Sequence, residues 1–476
     1  MRFNSLIYPL FLAIVVVVLR RLPVRLRAAW LLAVSYVFYA SWHWPYLLLL
    51  IGCATLNHYG AIWIAAATDR RRRGAVVVAA DVALLALFKY LDWLVETGDA
   101  VARLVGLSPE WQPPRWVLPL GISFYVFESI SYVVDVVRKR EKPHPFWSFQ
   151  LFIAFFPKLI AGPILRAKEL LPQIEKPGAL GGVEQTVSGL TQIVVGMFIK
   201  IVLADGLSVD VDRAFAMQPA ALGMLDVWLA AVAFGLQIYF DFSGYSRIAI
   251  GSARLCGIEL VDNFDHPYTA RNPVDFWNRW HMSLSRWIRD YVFYPLLRRQ
   301  TSRVALVRAA VLSMTLCGLW HGAGWHFLAW GFYHGLLIAG YHATRREEGT
   351  GASQALPKRA AAVLATFALV QLGWLWFRSP DVLQAATLWA RAFDPRYATL
   401  RALPGTLYVQ TAMLTVAVWA APAVSAAYRR WAAPRIEQVA GVHLGWAAID
   451  GVGLGVLAAL CLLYLRGQSA FIYFQF

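Results

Sequence analysis

His321 stands in Cys317-Gly-Leu-Trp-His-Gly-Ala-Gly-Trp, at the end of the apolar run 304–320 and just before Gly322 and Gly324. An ionisable ring at such a depth is costly in lipid and is a functional hypothesis by default. Near neutral pH an imidazole takes a proton from an alcohol or thiol, which is the requirement for general-base acyl transfer. The small residues around it permit close helix packing or a local break where a substrate must approach. A buried histidine that only hydrogen-bonds and packs helices has the same sequence signature, and composition alone leaves the two readings level.

A second imidazole, His281, lies in the most unusual stretch of the chain, between Phe240 and Gln300. That stretch begins apolar, is interrupted at Asp241-Phe-Ser-Gly, passes Asn263-Phe-Asp-His-Pro-Tyr and enters a dense amphipathic segment. Asn272 before Pro273, with Asp275 in the first turn, reads as a helix start. Trp277, Trp280, Leu284, Trp287, Ile288 and Tyr291 then recur at spacings of three and four, with Arg279, Arg286, Arg289 and Asp290 between them. A helix lying in the headgroup layer explains this pattern. So does a helix that dips into a bundle and lines a reaction chamber, where Asn278, Ser283 and Ser285 would be useful and not costly.

The other histidines add less. His326, His334 and His342 follow one another at intervals of eight, roughly 12 Å of helix, so they cannot share one metal. The chain has no HExxH and no acid-rich cluster, and no metal is expected. His334 is a candidate for the same cavity as His321, whereas His342 stands beside the basic pair Arg345 and Arg346. There is no nucleotide-binding glycine motif, no serine-hydrolase elbow, and no inverted repeat of a transporter.

The elements that must position these residues are membrane helices. Of 476 residues, 59% are hydrophobic, and the mean hydropathy is +0.52. A soluble domain is roughly 45–50% apolar, so a many-pass membrane protein is the class that fits. At about 20 residues per span, candidates lie near 5–19, 27–41, 44–66, 75–94, 118–137, 148–165, 187–205, 225–249, 304–320, 325–342, 359–377, 406–427 and 449–466. The expectation is an all-α polytopic protein with roughly ten to thirteen transmembrane or re-entrant helices around a central channel. A single domain over 1–476 is expected, with the active-site core in 240–342.

The formal charge of +16 comes from clusters between apolar runs, as at Arg20, Arg21, Arg25 and Arg27, or Arg70 through Arg73. This is the pattern of cytoplasmic loops and not of a nucleic-acid-binding face. Both of those clusters lie on the cytoplasmic side if 27–41 and 44–66 form a hairpin, which puts the N-terminus outside. The N-terminal apolar run has no cleavage site before its arginines and reads as a first spanning helix. Cys53, Cys256, Cys317 and Cys461 stand far apart in apolar surroundings and read as small buried hydrophobes.

Several longer motifs, in order, carry a resemblance. They are Phe3-Asn-Ser, Tyr36-Val-Phe-Tyr-Ala-Ser-Trp, Leu118-Pro-Leu-Gly-Ile-Ser-Phe-Tyr followed by Ser131-Tyr-Val-Val-Asp, and Phe155-Phe-Pro-Lys-Leu-Ile-Ala-Gly-Pro-Ile. After them come Asp241-Phe-Ser-Gly-Tyr-Ser, Phe276-Trp-Asn-Arg-Trp-His-Met-Ser-Leu-Ser, Gly318-Leu-Trp-His-Gly-Ala and the closing Phe471-Ile-Tyr-Phe-Gln-Phe. Over nearly its whole length the chain resembles the membrane-bound O-acyltransferase family. The likeness is to the bacterial branch that includes alginate O-acetyltransferase membrane proteins and D-alanyl transfer proteins of teichoic acids. One departure is Leu297-Arg-Arg-Gln, where the family commonly has a glycine pair leading into Asn-Arg.

The resemblance implies that His321 corresponds to the family's active-site histidine and His281 to its second polar signature position. His321 is then the acyl-transfer base, and His281 orients the donor or polarises its carbonyl. A covalent acyl-histidine and direct attack both remain open. Asp241, Asn278, Arg279 and Trp320 are further candidates for the donor-binding channel. No tightly bound cofactor is expected; acetyl-CoA is the expected acyl-donor substrate. The implied partners are a periplasmic SGNH-type or related polysaccharide O-acetyltransferase, an extracytoplasmic polysaccharide such as alginate, and membrane lipids, in the bacterial inner membrane and without nucleic acid. Peptidoglycan, cellulose or teichoic acid are alternative acceptors. A polytopic transporter or flippase is the alternative outside the enzyme class.

Overall fold

The computed structural model of the chain describes residues 3, 5, 7–107, 116–178, 180–297, 300, 302–344, 356–398, 402–431 and 443–464. Arg298, Arg299, Arg345, Arg346 and the closing 471–476 motif lie outside them. The regular elements of the described residues are all helices, with no strand among them. Seven helices among them are long and apolar enough to cross a membrane: Val24–Ala65, Arg70–Leu104, Val183–Ala216, Met224–Leu255, Arg303–His321, Leu356–Arg378 and Gly405–Ala427. The protein is an all-α polytopic membrane protein, as its hydropathy predicts. All four cysteines are free and buried.

The chain divides into two compact units, 1–193 with 248–261, and 194–247 with 262–476. In the first, the sequence runs 27–41 and 44–66 lie in the two arms of Val24–Ala65, which breaks at His43 (φ −160°, ψ 103°) just before Pro45. Proline removes a donor and collides with the preceding turn, so the helix must break near it. It folds back there. Tyr36 donates to Gln150 Oε1 at 2.9 Å, while the same Gln150 amide donates to Thr55 at 3.0 Å. A straight helix would hold Tyr36 and Thr55 roughly 28 Å apart, far beyond the reach of one glutamine. The hairpin on which a shared side for the two arginine clusters depends is therefore present.

Two of the longer sequence motifs meet in this unit. Gly121 adopts φ +72°, and a side chain there would strike the Leu159 carbonyl, so glycine is required at the entry to helix Ile122–Val137. Within the helix, the buried Glu128 carboxylate pairs with buried Lys158 and accepts from the Leu165 amide at 3.1 Å. The run 148–165, expected as one span, is instead broken at Phe155 into Phe146–Ala154 and Phe156–Leu159. The Ser35 hydroxyl receives the freed Phe156 amide at 3.1 Å.

The second unit holds both candidate histidines. Its hydropathy is interrupted at Asp241-Phe-Ser-Gly, but the helix Met224–Leu255 continues through that point. Asp241 is tolerated there because the Lys200 ammonium lies 2.5 Å from its carboxylate and 2.5 Å from that of Asp205. The helix pair Arg303–His321 and Trp325–Thr344 packs closely over its length. A side chain at Gly318 would strike the Phe327 carbonyl, and one at Gly331 the Met314 carbonyl.

Candidate active site

Asn272 caps its helix as its sequence predicts, its side chain accepting from the Asp275 amide at 2.8 Å. The amphipathic segment does not continue as one helix. It is cut into Pro273–Arg279 and Met282–Ile288, with His281 in the left-handed conformation between them (φ 41°, ψ 55°). Asn263 supports this break. Its carbonyl accepts from the Met282 amide at 2.9 Å, its side-chain oxygen from the Ser283 amide at 3.2 Å, and its side-chain amide donates to Ser246 at 3.2 Å. A left-handed non-glycine residue costs of order 1–3 kcal/mol and clusters at functional sites. Trp280 and His281 are almost wholly buried, and Trp277, Leu284 and Trp287 are buried with them. The aromatic stripe of this segment therefore packs against protein.

His321 is the last residue of its helix, and the chain turns through extended Gly322 into the returning helix. The two histidines converge on one side chain. The Trp320 ring centroid is 6.2 Å from that of His281 and 4.9 Å from that of His321. Phe242, next to Asp241, closes on His281 edge to face at 4.5 Å. His321 in turn meets Trp330 at 5.0 Å and Phe377 at 5.3 Å. Trp330 is shared with His334, also at 5.0 Å, and His334 packs against Trp277 at 5.3 Å. Three imidazoles thus occupy one aromatic core.

The polar balance of that core is unusual. Both ring nitrogens of His281 and of His334, and the indole nitrogens of Trp277 and Trp330, are buried without a hydrogen-bond partner among the described residues. Orphan polar atoms are normally rare in a folded interior, and a concentration of them marks where a polar guest fits. Burial pushes the His281 imidazole down to about 3. It is therefore neutral at pH 7, with one N–H to donate and one lone pair to accept.

A cavity of about 330 Å³ adjoins this core, lined by Trp277, Asn278, Met282, Arg286, Arg289, Cys317 and His342 among others. Met282 follows His281 directly, and Cys317 lies one turn before His321. Trp320 and Asn278 thus fall at the histidines and at the cavity respectively. Asp241 lies in the Lys200 ion pair, and Arg279 pairs with Asp275 at 2.7 Å. Among the described residues no cluster of three or more His, Cys, Asp or Glu could hold a metal ion. The sequence reading missed Trp330, although its position four residues before His334 puts both on one helix face. It also gave no special place to Arg286 and Arg289, which line the cavity.

The membrane-bound O-acyltransferase family matches residues 32–347, a span that includes His281, His321 and the whole cavity lining. The chain belongs to this family. It is similar to the probable alginate O-acetylase AlgI of Pseudomonas aeruginosa, 37% identical over 78% of this chain and 70% of that protein. The same-named protein of Pseudomonas putida is 34% identical over 95% of both chains. The peptidoglycan O-acetyltransferase of Helicobacter pylori is 31% identical over 75% of this chain and 72% of that one. As a membrane-bound O-acyltransferase, the protein is a multi-pass inner-membrane enzyme that transfers acyl groups to an extracytoplasmic acceptor.

Proposed function

We propose that this protein relays acetyl groups from a cytoplasmic thioester, acetyl-CoA, across the membrane for O-acetylation of an extracytoplasmic polysaccharide. The observation that carries the reading is the meeting of His281 and His321 on Trp320, beside a cavity lined by Arg286 and Arg289. Guanidinium groups suit the phosphates of such a donor, and the apolar walls at Met282 and Trp277 suit its thioester arm.

His321 takes the proton of the acceptor hydroxyl as its oxygen attacks the acetyl carbonyl. The carbon–sulfur bond breaks, and the proton passes to the departing thiolate, leaving ester and free thiol. The neutral His281 ring donates its N–H to the carbonyl oxygen as negative charge develops there. In a water-excluded site this stabilisation is much stronger than in solvent. The Trp320, Trp330 and Phe377 rings exclude that water.

A periplasmic SGNH-type acyltransferase then receives the acetyl group and modifies the polymer. Alginate is the acceptor favoured by the 95% mutual coverage with the Pseudomonas putida relative. Peptidoglycan is the second reading, motivated by the Helicobacter pylori relative. The test is a transfer assay with labelled acetyl-CoA, the periplasmic partner and a panel of polymers, followed by mapping of the ester. Label on alginate supports the first reading and label only on glycan strands the second; free thiol release with no polymer labelled contradicts both.

A further inference from the structure

In the first unit, helix Ile7–Arg21 ends and helix Val24–Ala65 begins at the cluster Arg20, Arg21, Arg25 and Arg27. A recess of about 450 Å³ opens there, lined by Arg20, Val24, Arg27, Leu180 and Gly181. No carboxylate is among its lining residues. Arg20 donates to the Thr186 hydroxyl at 2.5 Å, and Arg27 uses its Nε on the Leu22 carbonyl at 3.4 Å. Neither arginine has an ion pair among the described residues. Arg27 Nη1 is sealed from solvent and has no hydrogen-bond partner there. Leaving a buried cationic donor unmatched is costly, and an anion supplies what it lacks.

The location narrows which anion. Arg20 follows directly on the apolar run that ends at Leu19, and the candidate span Val24–Ala65 begins three residues after Arg21, so the recess lies at the basic start of a span, where such clusters meet lipid headgroups. Val24 and Leu180 give it apolar walls beside the two guanidiniums. A basic recess between membrane helices recognises an anionic lipid headgroup. Two planar guanidiniums suit a phosphodiester, because each can offer paired donors to its oxygens.

We propose that Arg20 and Arg27 form a binding site for an anionic phospholipid, with the lipid phosphodiester held between them. The site is separate from the acyl-transfer residues and does not depend on the reaction assigned above.

The test uses the full chain purified in detergent and titrated with phosphatidylglycerol, with lipid retention read by native mass spectrometry and stabilisation by thermal unfolding. Wild-type protein should retain phosphatidylglycerol in preference to phosphatidylcholine. Arg20→Gln with Arg27→Gln should weaken retention about thirtyfold, roughly fivefold for each arginine. Arg27→Gln alone should give the single step if the double variant does not fold, and exposed Arg71→Gln should change nothing. Equal retention by wild type and Arg27→Gln, or of the two lipids by wild type, would overturn the proposal. Full displacement of phosphatidylglycerol by millimolar inorganic phosphate would also overturn it, since the site would then be one for free anions.

Discussion

His281 and His321 pack against the same indole, with the Trp320 ring centroid 6.2 Å from one imidazole and 4.9 Å from the other. The two histidines reach it by different devices. His281 is delivered by a left-handed break between two short helices, and His321 by the end of a long one. Trp320 therefore stands between the proposed base and the ring proposed to orient the donor.

Replacing Trp320 should misplace both rings without removing either. Trp320→Ala is expected to lower the acetyl-transfer rate about a hundredfold, the usual effect of an ångström-scale misplacement, whereas Trp320→Phe should retain most of the rate. Single-turnover release of free thiol from labelled donor measures this. Equal rates in the alanine and wild-type proteins would remove Trp320 from the account.

The neutrality of His281 has a consequence for stability. Its folded pKa, about 3, lies below the unfolded value of roughly 6.5. Between those values the unfolded chain binds the extra proton, so its contribution is complete above pH 6.5 and is lost as pH falls. The loss should approach about 1.4 kcal/mol per pH unit below 6.5. Unfolding followed from pH 7.5 to 4.5 should show a steeper acid slope for wild type than for His281→Phe; parallel slopes would mean the ring is already charged in the folded protein.

Close packing of Arg303–His321 against Trp325–Thr344 depends on absent side chains. Gly331→Ala would push a methyl into the Met314 carbonyl. Such overpacking costs typically about 1–3 kcal/mol. A lowered thermal midpoint is expected, together with reduced transfer, because the same pair fixes His321. An unchanged midpoint would show that the two helices can separate freely.

In the first unit, Gln150 joins both arms of the Val24–Ala65 hairpin through Tyr36 and Thr55. Interhelical hydrogen bonds in membranes average about 0.6 kcal/mol each. Gln150→Leu should therefore destabilise by about 1 kcal/mol, twice the effect of Tyr36→Phe. Equal losses for the two variants would mean that Thr55 does not share the clamp.

Much of this arrangement was legible in the sequence. Hydropathy gave the membrane class, the arginine clusters were consistent with a hairpin of 27–41 and 44–66, and the Asn272-Pro-Val-Asp pattern gave a helix start. The histidines were legible as well, because an ionisable ring in an apolar run is rare. Periodicity failed where tertiary bonds override it. Nothing local announces that Asn263 will satisfy a break at His281, so an aromatic stripe at helical spacing read as one helix. The continuity of the helix through Asp241 was hidden for the same reason, since Lys200 lies far away in sequence. The meeting of Trp330 with His321 depends on how helix Trp325–Thr344 packs against helix Arg303–His321, which spacing does not encode.

The most direct test of the account is release of free CoA from labelled acetyl-CoA by purified His321→Ala protein, with the partner and acceptor present and folding checked by thermal unfolding. The predicted result is a native-like unfolding profile with transfer reduced to background. Acetyl transfer at the wild-type rate by the folded variant would contradict the role of His321 as the base.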